Sequence, residues 1–294
     1  MKKSSLIISL VISISFLVIL FSFTEISNTI NMLDNTSDEM ARLANSETII
    51  LSPHLDDGVL SLGGLMSKRE NQILLATFFT KNPNKIIHTK WDKISGFSDS
   101  NTAMQQRLIE NKNALSNINT VIKNYDYPDF QYRKEDTGIE TNIEKDIENL
   151  INTYQNKEVF IYGPATFGSK ITHPDHQILH NAFMNVLKNN TKINVHFFIY
   201  EDFPYVYEFN SFGLGNLKTY LEKTENIKFE EVPIELNKAE LAEKIENIYK
   251  YSSQIKAFVS LNENIKNLAQ KFYQKRCKTI LPTSYTCEIV YKPI

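Results

Sequence analysis

Hydrophobic and polar positions switch between two periods along the chain. Glu47–Leu51 (ETIIL) is a β-branched apolar run of strand length, and Val59–Met66 after it reads as the start of a helix. Residues 72–80 (QILLATFFT) predict a second buried strand, followed by a polar, loop-like stretch over 81–100 that holds Trp91 and Gly96. Residues 101–118 have helical spacing through Met104, Leu108, Ala114 and Leu115. A short strand is predicted at 119–123, an aromatic loop at 125–133, an amphipathic helix at 142–154 and a buried strand at 158–163. The pattern continues with a helix at 175–187, a strand at 194–200, a loop at 201–205, a helix at 214–224 and a strand at 228–232. It then predicts one long helix over 236–258, another over 263–276, and a closing hairpin. Strands alternating with helices imply an α/β fold, a mostly parallel sheet with helices on both faces. No linker interrupts 46–294, which is read as one domain.

The first 45 residues stand apart. Lys2 and Lys3 precede an apolar run from Leu6 to Phe23, broken only by serines. Residues 1–23 are expected to form an N-terminal membrane segment, a signal-anchor with its lysines inside and the rest of the chain outside. A cleaved signal peptide is the alternative, although Phe21–Glu25 is a poor match to a small-x-small cleavage site. The bland reading, a buried core helix, is disfavoured because such a helix would not be apolar all round at the extreme terminus. Residues 24–45 are polar and read as a stalk. A hydrophobic content of 42%, a charged content of 22% and a formal net charge of −2 are ordinary for a globular protein. Without a dense basic stripe, the chain gives no sign of a nucleic-acid partner. Cys277 and Cys287 are the only cysteines, and their spacing suits a hairpin closed by a disulfide, a bond that persists outside the cytosol. Two unpaired structural cysteines are the other reading, and the spacing rules out a Cys-x-x-Cys motif.

Candidate chemistry gathers at two turns. Ser52-Pro53-His54-Leu55-Asp56-Asp57-Gly58 joins the first strand to the first helix, and Thr172-His173-Pro174-Asp175-His176 opens a later helix. The first turn lies at the C-terminal edge of a parallel sheet, where open α/β folds place their chemistry. His54 and Asp57 on one tight turn can face one point, and two adjacent carboxylates aimed at one cavity repel unless a cation or proton intervenes. His176 supplies a third donor; two histidines and one aspartate leave a position open for water, as a catalytic zinc requires. Asp56 is then a general base, His173 a donor to an oxyanion or leaving amine, and Asp175 an orienting partner for one of the histidines. The blander reading makes the aspartates helix caps. His180, one turn after His176, either forms a His-x-x-x-His pair or packs in the core, and His88 and His196 show no partner.

These motifs resemble those of the zinc-dependent de-N-acetylases of the PIG-L/LmbE type, whose first motif is usually PHPDDE or PHxDDA and whose second is HxDH. The resemblance implies a Rossmann-like fold, zinc (Zn2+) held by His54, Asp57 and His176, Asp56 as general base, and His173 at the oxyanion and leaving group. It extends through WDKISGF at Trp91–Phe97, Arg107 and Glu110, and PDFQYR at Pro128–Arg133, which is similar to a PDG-x-YR loop. YEDFPY at Tyr200–Tyr205 and a Y-x-SQ-like helix at Tyr251–Gln254 bring its extent to about residues 47–260. Gly58 departs from the acidic residue or alanine usual after the aspartate pair, and the tail from about 261 has no counterpart. The expected function is removal of acetyl from an N-acetylated amino sugar of an extracytoplasmic glycan or glycolipid, with that sugar and the membrane as partners. A non-catalytic carbohydrate-binding protein and another zinc amidase are the rival readings. Arg107, Trp91, Arg133, Asp202 and Tyr205 are candidate sugar contacts. Each has a structural alternative: Trp91 packs, Arg107 pairs with Glu110 on a helix surface, and Tyr205 anchors a loop.

Overall fold

The apolar runs become one sheet in a computed structural model that describes residues 47–68, 72–154, 157–168, 172–211, 213, 216–260, 265–278, 280 and 286–294. Its strands are β1 (Glu47–Ser52), β2 (Ile73–Thr77), β3 (Thr120–Asn124), β4 (Val159–Pro164), β5 (Val195–Tyr200), β6 (Phe229–Leu236) and β7 (Thr286–Pro293). They lie in the order β3-β2-β1-β4-β5-β7-β6. The first five are parallel, and β7 runs antiparallel to both β5 and β6, so the sheet is mixed. The expected membrane segment and stalk fall outside the described residues. Among the described residues no helix is long and apolar enough to cross a membrane.

The helices are α1 (Asp57–Ser67), α2 (Lys90–Ser95), α3 (Ser100–Ala114), α4 (Ile139–Asn152), α5 (Pro174–Asn189), α6 (Tyr205–Ser211), α7 (Leu217–Glu225), α8 (Lys238–Tyr249), α9 (Ser252–Ser260) and α10 (Ile265–Lys278). Right-handed crossovers between parallel strands place α1 and α3 on one face of the sheet and α4 and α5 on the other. Accordingly α4 packs on α5, and α1 packs on α8. Covered on both faces, β1 and β4 read as apolar runs rather than as alternations. From β1 the chain proceeds outward to β2 and β3, then returns to β4 on the other side. The strand order therefore reverses between β1 and β4, and a crevice opens at their carboxyl ends.

Several expected elements are corrected. The single helix over 236–258 is two, because α9 starts on a tertiary cap. Glu110 of α3 accepts hydrogen bonds from the Ser253 backbone N–H (3.0 Å), the Ser253 hydroxyl (2.7 Å) and the Ser252 hydroxyl (2.9 Å). Glu110 is thus a buried cap and not half of a surface pair with Arg107. The polar stretch 81–100 contains α2, opened by the Thr89 side chain accepting from the Asp92 N–H and closed at Gly96 in the left-handed region (φ 96°). Strand β6 runs on to Leu236 through Pro233, which suits its place at the sheet edge. Cys277 and Cys287 are bonded, but the bond joins the last turn of α10 to β7 and does not close a hairpin.

Helix α1 carries a kink at Leu62 (φ −119°, ψ 21°) that frees backbone groups from helical pairing. Glu288 of β7 accepts from the Gly64 N–H (2.7 Å) and the Leu65 N–H (2.8 Å). The Lys244 ammonium donates to the Ser61 carbonyl (2.9 Å) and pairs with Glu288 at 2.5 Å, fully buried. Gly64 permits this approach, since a Cβ there would lie 2.8 Å from Glu288 Oε1 and closer still to Leu236. Replacing Lys244 by Met leaves the buried Glu288 carboxyl without its cation. A loss of about 3–5 kcal/mol is expected in urea unfolding, and an unchanged midpoint would show that the pair does not hold α1 in place.

Candidate active site

The turn after β1 is tied by its own residues. The Ser52 hydroxyl donates to the His54 carbonyl (2.5 Å) and accepts from the Gly58 N–H (2.9 Å). Asp57 Oδ2 accepts from the His54 backbone N–H at 2.8 Å and lies 3.1 Å from His54 Nδ1. Asp56 occupies the cap position of α1, yet its side chain makes no capping hydrogen bond. The bland reading of this aspartate as a helix cap fails on that point. At α5 the cap is His173, whose Nδ1 accepts from the Asp175 N–H (3.3 Å).

The crevice between β1 and β4 brings the two turns together. His176 Nε2 lies 3.3 Å from His54 Nδ1 and 3.1 Å from Asp57 Oδ2. Tetrahedral donors at about 2.0–2.2 Å from one zinc stand about 3.3–3.6 Å apart, so these three buried atoms fit a single ion. Each histidine turns its other nitrogen to a carboxylate: His54 Nε2 to Asp175 Oδ2 (2.9 Å) and His176 Nδ1 to Asp202 Oδ2 (2.5 Å). Such partners fix the ring orientation of metal-binding histidines. A second group of donors, His54, Asp129, His173 and Asp175, also clusters. There Asp175 pairs with Arg133 and Asp129 with Arg107 (3.3 Å), so guanidinium charge already balances it. The His54–Asp57–His176 triangle is the other group that could hold a metal ion.

A cavity of about 290 Å³ opens over the triangle, lined by His54, Asp56, Asp57, His173, Arg107, Asp129, Trp91, Gln131, Pro204, Tyr205, Glu208 and Gln254. Arg107 reaches to 3.6 Å from Asp56 Oδ1. Burial and the neighbouring Asp57 push the Asp56 carboxyl up, against the pull of Arg107. Burial opposes charge on His54, but Asp129, Asp175 and Asp57 outweigh it and hold its pKa up to about 10. His176 is held well above the usual imidazole range, where Asp202 and Asp57 overcome burial. His173 is pushed down to about 4, by burial first and by the charge on His54 second.

Residues 49–187 match the family described as PIG-L: GlcNAc-PI de-N-acetylase. Over this segment the chain is similar to the PIG-L family. Solved structures of similar fold include Dbv21, the deacetylase of the pseudoaglycone of the antimicrobial reagent A40926 (18% identity, TM-score 0.67, covering 85% of this chain and 98% of that one). Teicoplanin deacetylase Orf2 in a zinc-inhibited form is also similar (19% identity, TM-score 0.65, 84% and 98% covered). So is the N,N'-diacetylchitobiose deacetylase of Pyrococcus horikoshii (12% identity, TM-score 0.55, 84% and 83% covered). A comparison with curated proteins gives no match.

The residues expected from the two histidine motifs converge, and some of the other candidates do not. Trp91, Arg107 and Tyr205 line the cavity. Arg133 and Asp202 do not. Arg133 lies beneath, pairing with Asp175 and donating to the Pro128 carbonyl (2.8 Å), and Asp202 is fully buried behind His176. His180 is a core residue, bonded to the Pro164 carbonyl (2.7 Å) and to Glu225 (3.2 Å), which removes the His-x-x-x-His alternative. His88 bonds the Ser98 carbonyl at 2.7 Å and His196 bonds Glu158 at 2.5 Å, so both have partners. Gly58 has a steric reason: a Cβ there would lie 2.7 Å from Leu75 and 3.3 Å from the Ser52 hydroxyl. Sequence reasoning missed Asp129, Gln131 and Gln254, although the quoted PDFQYR and Y-x-SQ segments contain them.

Both imidazoles of the triangle hold protons before a metal binds, so metal binding must displace them. Zinc affinity, measured by competition with a chromophoric chelator, is expected to rise with pH. Asp202→Asn should weaken it about 10–100-fold; an unchanged affinity would mean that His176 is not a ligand.

Proposed function

We propose that the chain is a zinc-dependent hydrolase that removes the acetyl group from an N-acetylated amino sugar. The observation that carries this reading is the donor triangle with Asp56, unused as a cap, beside it in one cavity. A zinc held by His54, Asp57 and His176 would polarise the acetyl carbonyl and lower the pKa of a water. Asp56 takes a proton from the attacking water, and Arg107 at 3.6 Å holds the Asp56 carboxylate in place. Because His173 Nδ1 accepts the Asp175 N–H, its neutral ring carries the proton on Nε2 and donates it in a hydrogen bond to the developing oxyanion. The proton on Asp56 then passes to the nitrogen as the carbon–nitrogen bond breaks, leaving acetate and a free amine. Arg107 and Asp129, paired at 3.3 Å on the cavity wall, present donors and acceptors suited to sugar hydroxyls.

Sugar amides are supported by the family description and by the N,N'-diacetylchitobiose deacetylase of similar fold. An extracytoplasmic glycan or glycolipid is the substrate class we favour. The Cys277–Cys287 bond suits an oxidising compartment, and the apolar run Leu6–Phe23 suits a membrane segment. Acetate release from a panel of N-acetylglucosamine-containing glycans and glycolipids tests the proposal. Release should require zinc, and Asp56→Asn should lower kcat about 10²–10⁴-fold while zinc still binds. Stoichiometric zinc with no release from any substrate would point instead to a carbohydrate-binding protein on this fold.

A further inference from the structure

We infer that Phe130 forms a subsite for a second sugar residue, on the rim of the cavity, so that the chain acts on a glycan in preference to a single amino sugar. This rests on the deacetylase reading above. Phe130 is 45% exposed, whereas its neighbours Asp129 and Gln131 line the cavity. An exposed phenyl ring at the mouth of a polar site needs an explanation, and disorder does not supply one. The Phe130 backbone N–H donates to Asp175 Oδ2 (3.0 Å). Its ring stands perpendicular to that of His173 with centroids 5.7 Å apart, and the Arg133 guanidinium lies 5.5 Å from its centroid. The ring is therefore held in place before any ligand arrives, which lowers the ordering cost of binding.

Its position follows the chemistry. His173 faces the reacting amide, so the sugar that bears the leaving amine sits beside His173 and Phe130. A cavity of about 290 Å³ is at the small end of ligand pockets, which run about 300–1,000 Å³. A further residue of a glycan has to leave across the rim. Sugar C–H groups carry partial positive charge and pack favourably on the negative face of an aromatic ring.

The test compares the monosaccharide and the β-linked disaccharide of N-acetylglucosamine in the zinc-loaded protein, by acetate release and by calorimetric binding of the corresponding amino sugars. Phe130→Gly should reduce the disaccharide-to-monosaccharide ratio of kcat/KM by about 2–12-fold, through KM, and Phe130→Tyr should restore it. An equal effect on both sugars, or none, overturns the subsite while leaving the deacetylase reading standing. Absent acetate release with a Phe130-dependent preference for the disaccharide in binding would do the reverse. Binding of neither sugar overturns the subsite as stated.

Discussion

One oxygen atom, Asp57 Oδ2, ties the site together. It takes the His54 backbone N–H at 2.8 Å, His54 Nδ1 at 3.1 Å and His176 Nε2 at 3.1 Å. The first two contacts are local to the turn after β1. The third reaches a helix that follows β4, and it exists only because β1 and β4 are neighbours at the reversal of strand order. Two imidazole nitrogens at 3.3 Å, both drawing on one carboxylate oxygen, have the spacing expected of ligands to one divalent cation.

The rest of the structure holds those rings still. Asp175 fixes His54 from below and is itself held by Arg133 and by the Phe130 N–H. Asp202 fixes His176, and the loop that carries it is pinned by its neighbours: the Glu201 N–H donates to the Ile289 carbonyl (3.2 Å) and the Phe203 N–H to the Ser61 hydroxyl (3.1 Å). Glu201 in turn accepts from Arg276 (2.8 Å) and Tyr291 (2.7 Å). These last partners come from α10 and β7, beyond the segment that matches the family. The tail without a counterpart in sequence thus buttresses the loop behind His176.

What the sequence made legible was what depends on local spacing. SPHLDD and HPDH each sit on one turn, so the type and direction of their side chains followed from the strand and helix beside them. The parallel core strands were legible because burial on both faces leaves an uninterrupted apolar run. Long-range partners were not. Arg133 and Asp202 looked like sugar contacts, yet each turns inward, a matter decided by packing that no local pattern records. The break between α8 and α9 depends on Glu110, far away in the chain, and Gln254 reaches the cavity only because of that break. The two cysteines could be paired by count, whereas the antiparallel insertion of β7 between β5 and β6 could not be read from a short apolar tail.

The proposed chemistry depends on one metal ion held in the His54–Asp57–His176 triangle. Anomalous diffraction at the zinc edge from crystals of the zinc-loaded protein tests it most directly. A single strong peak is expected about 2.0–2.2 Å from His54 Nδ1, an Asp57 oxygen and His176 Nε2. A peak instead among His54 Nε2, Asp129, His173 and Asp175, or no peak at either place, would contradict it.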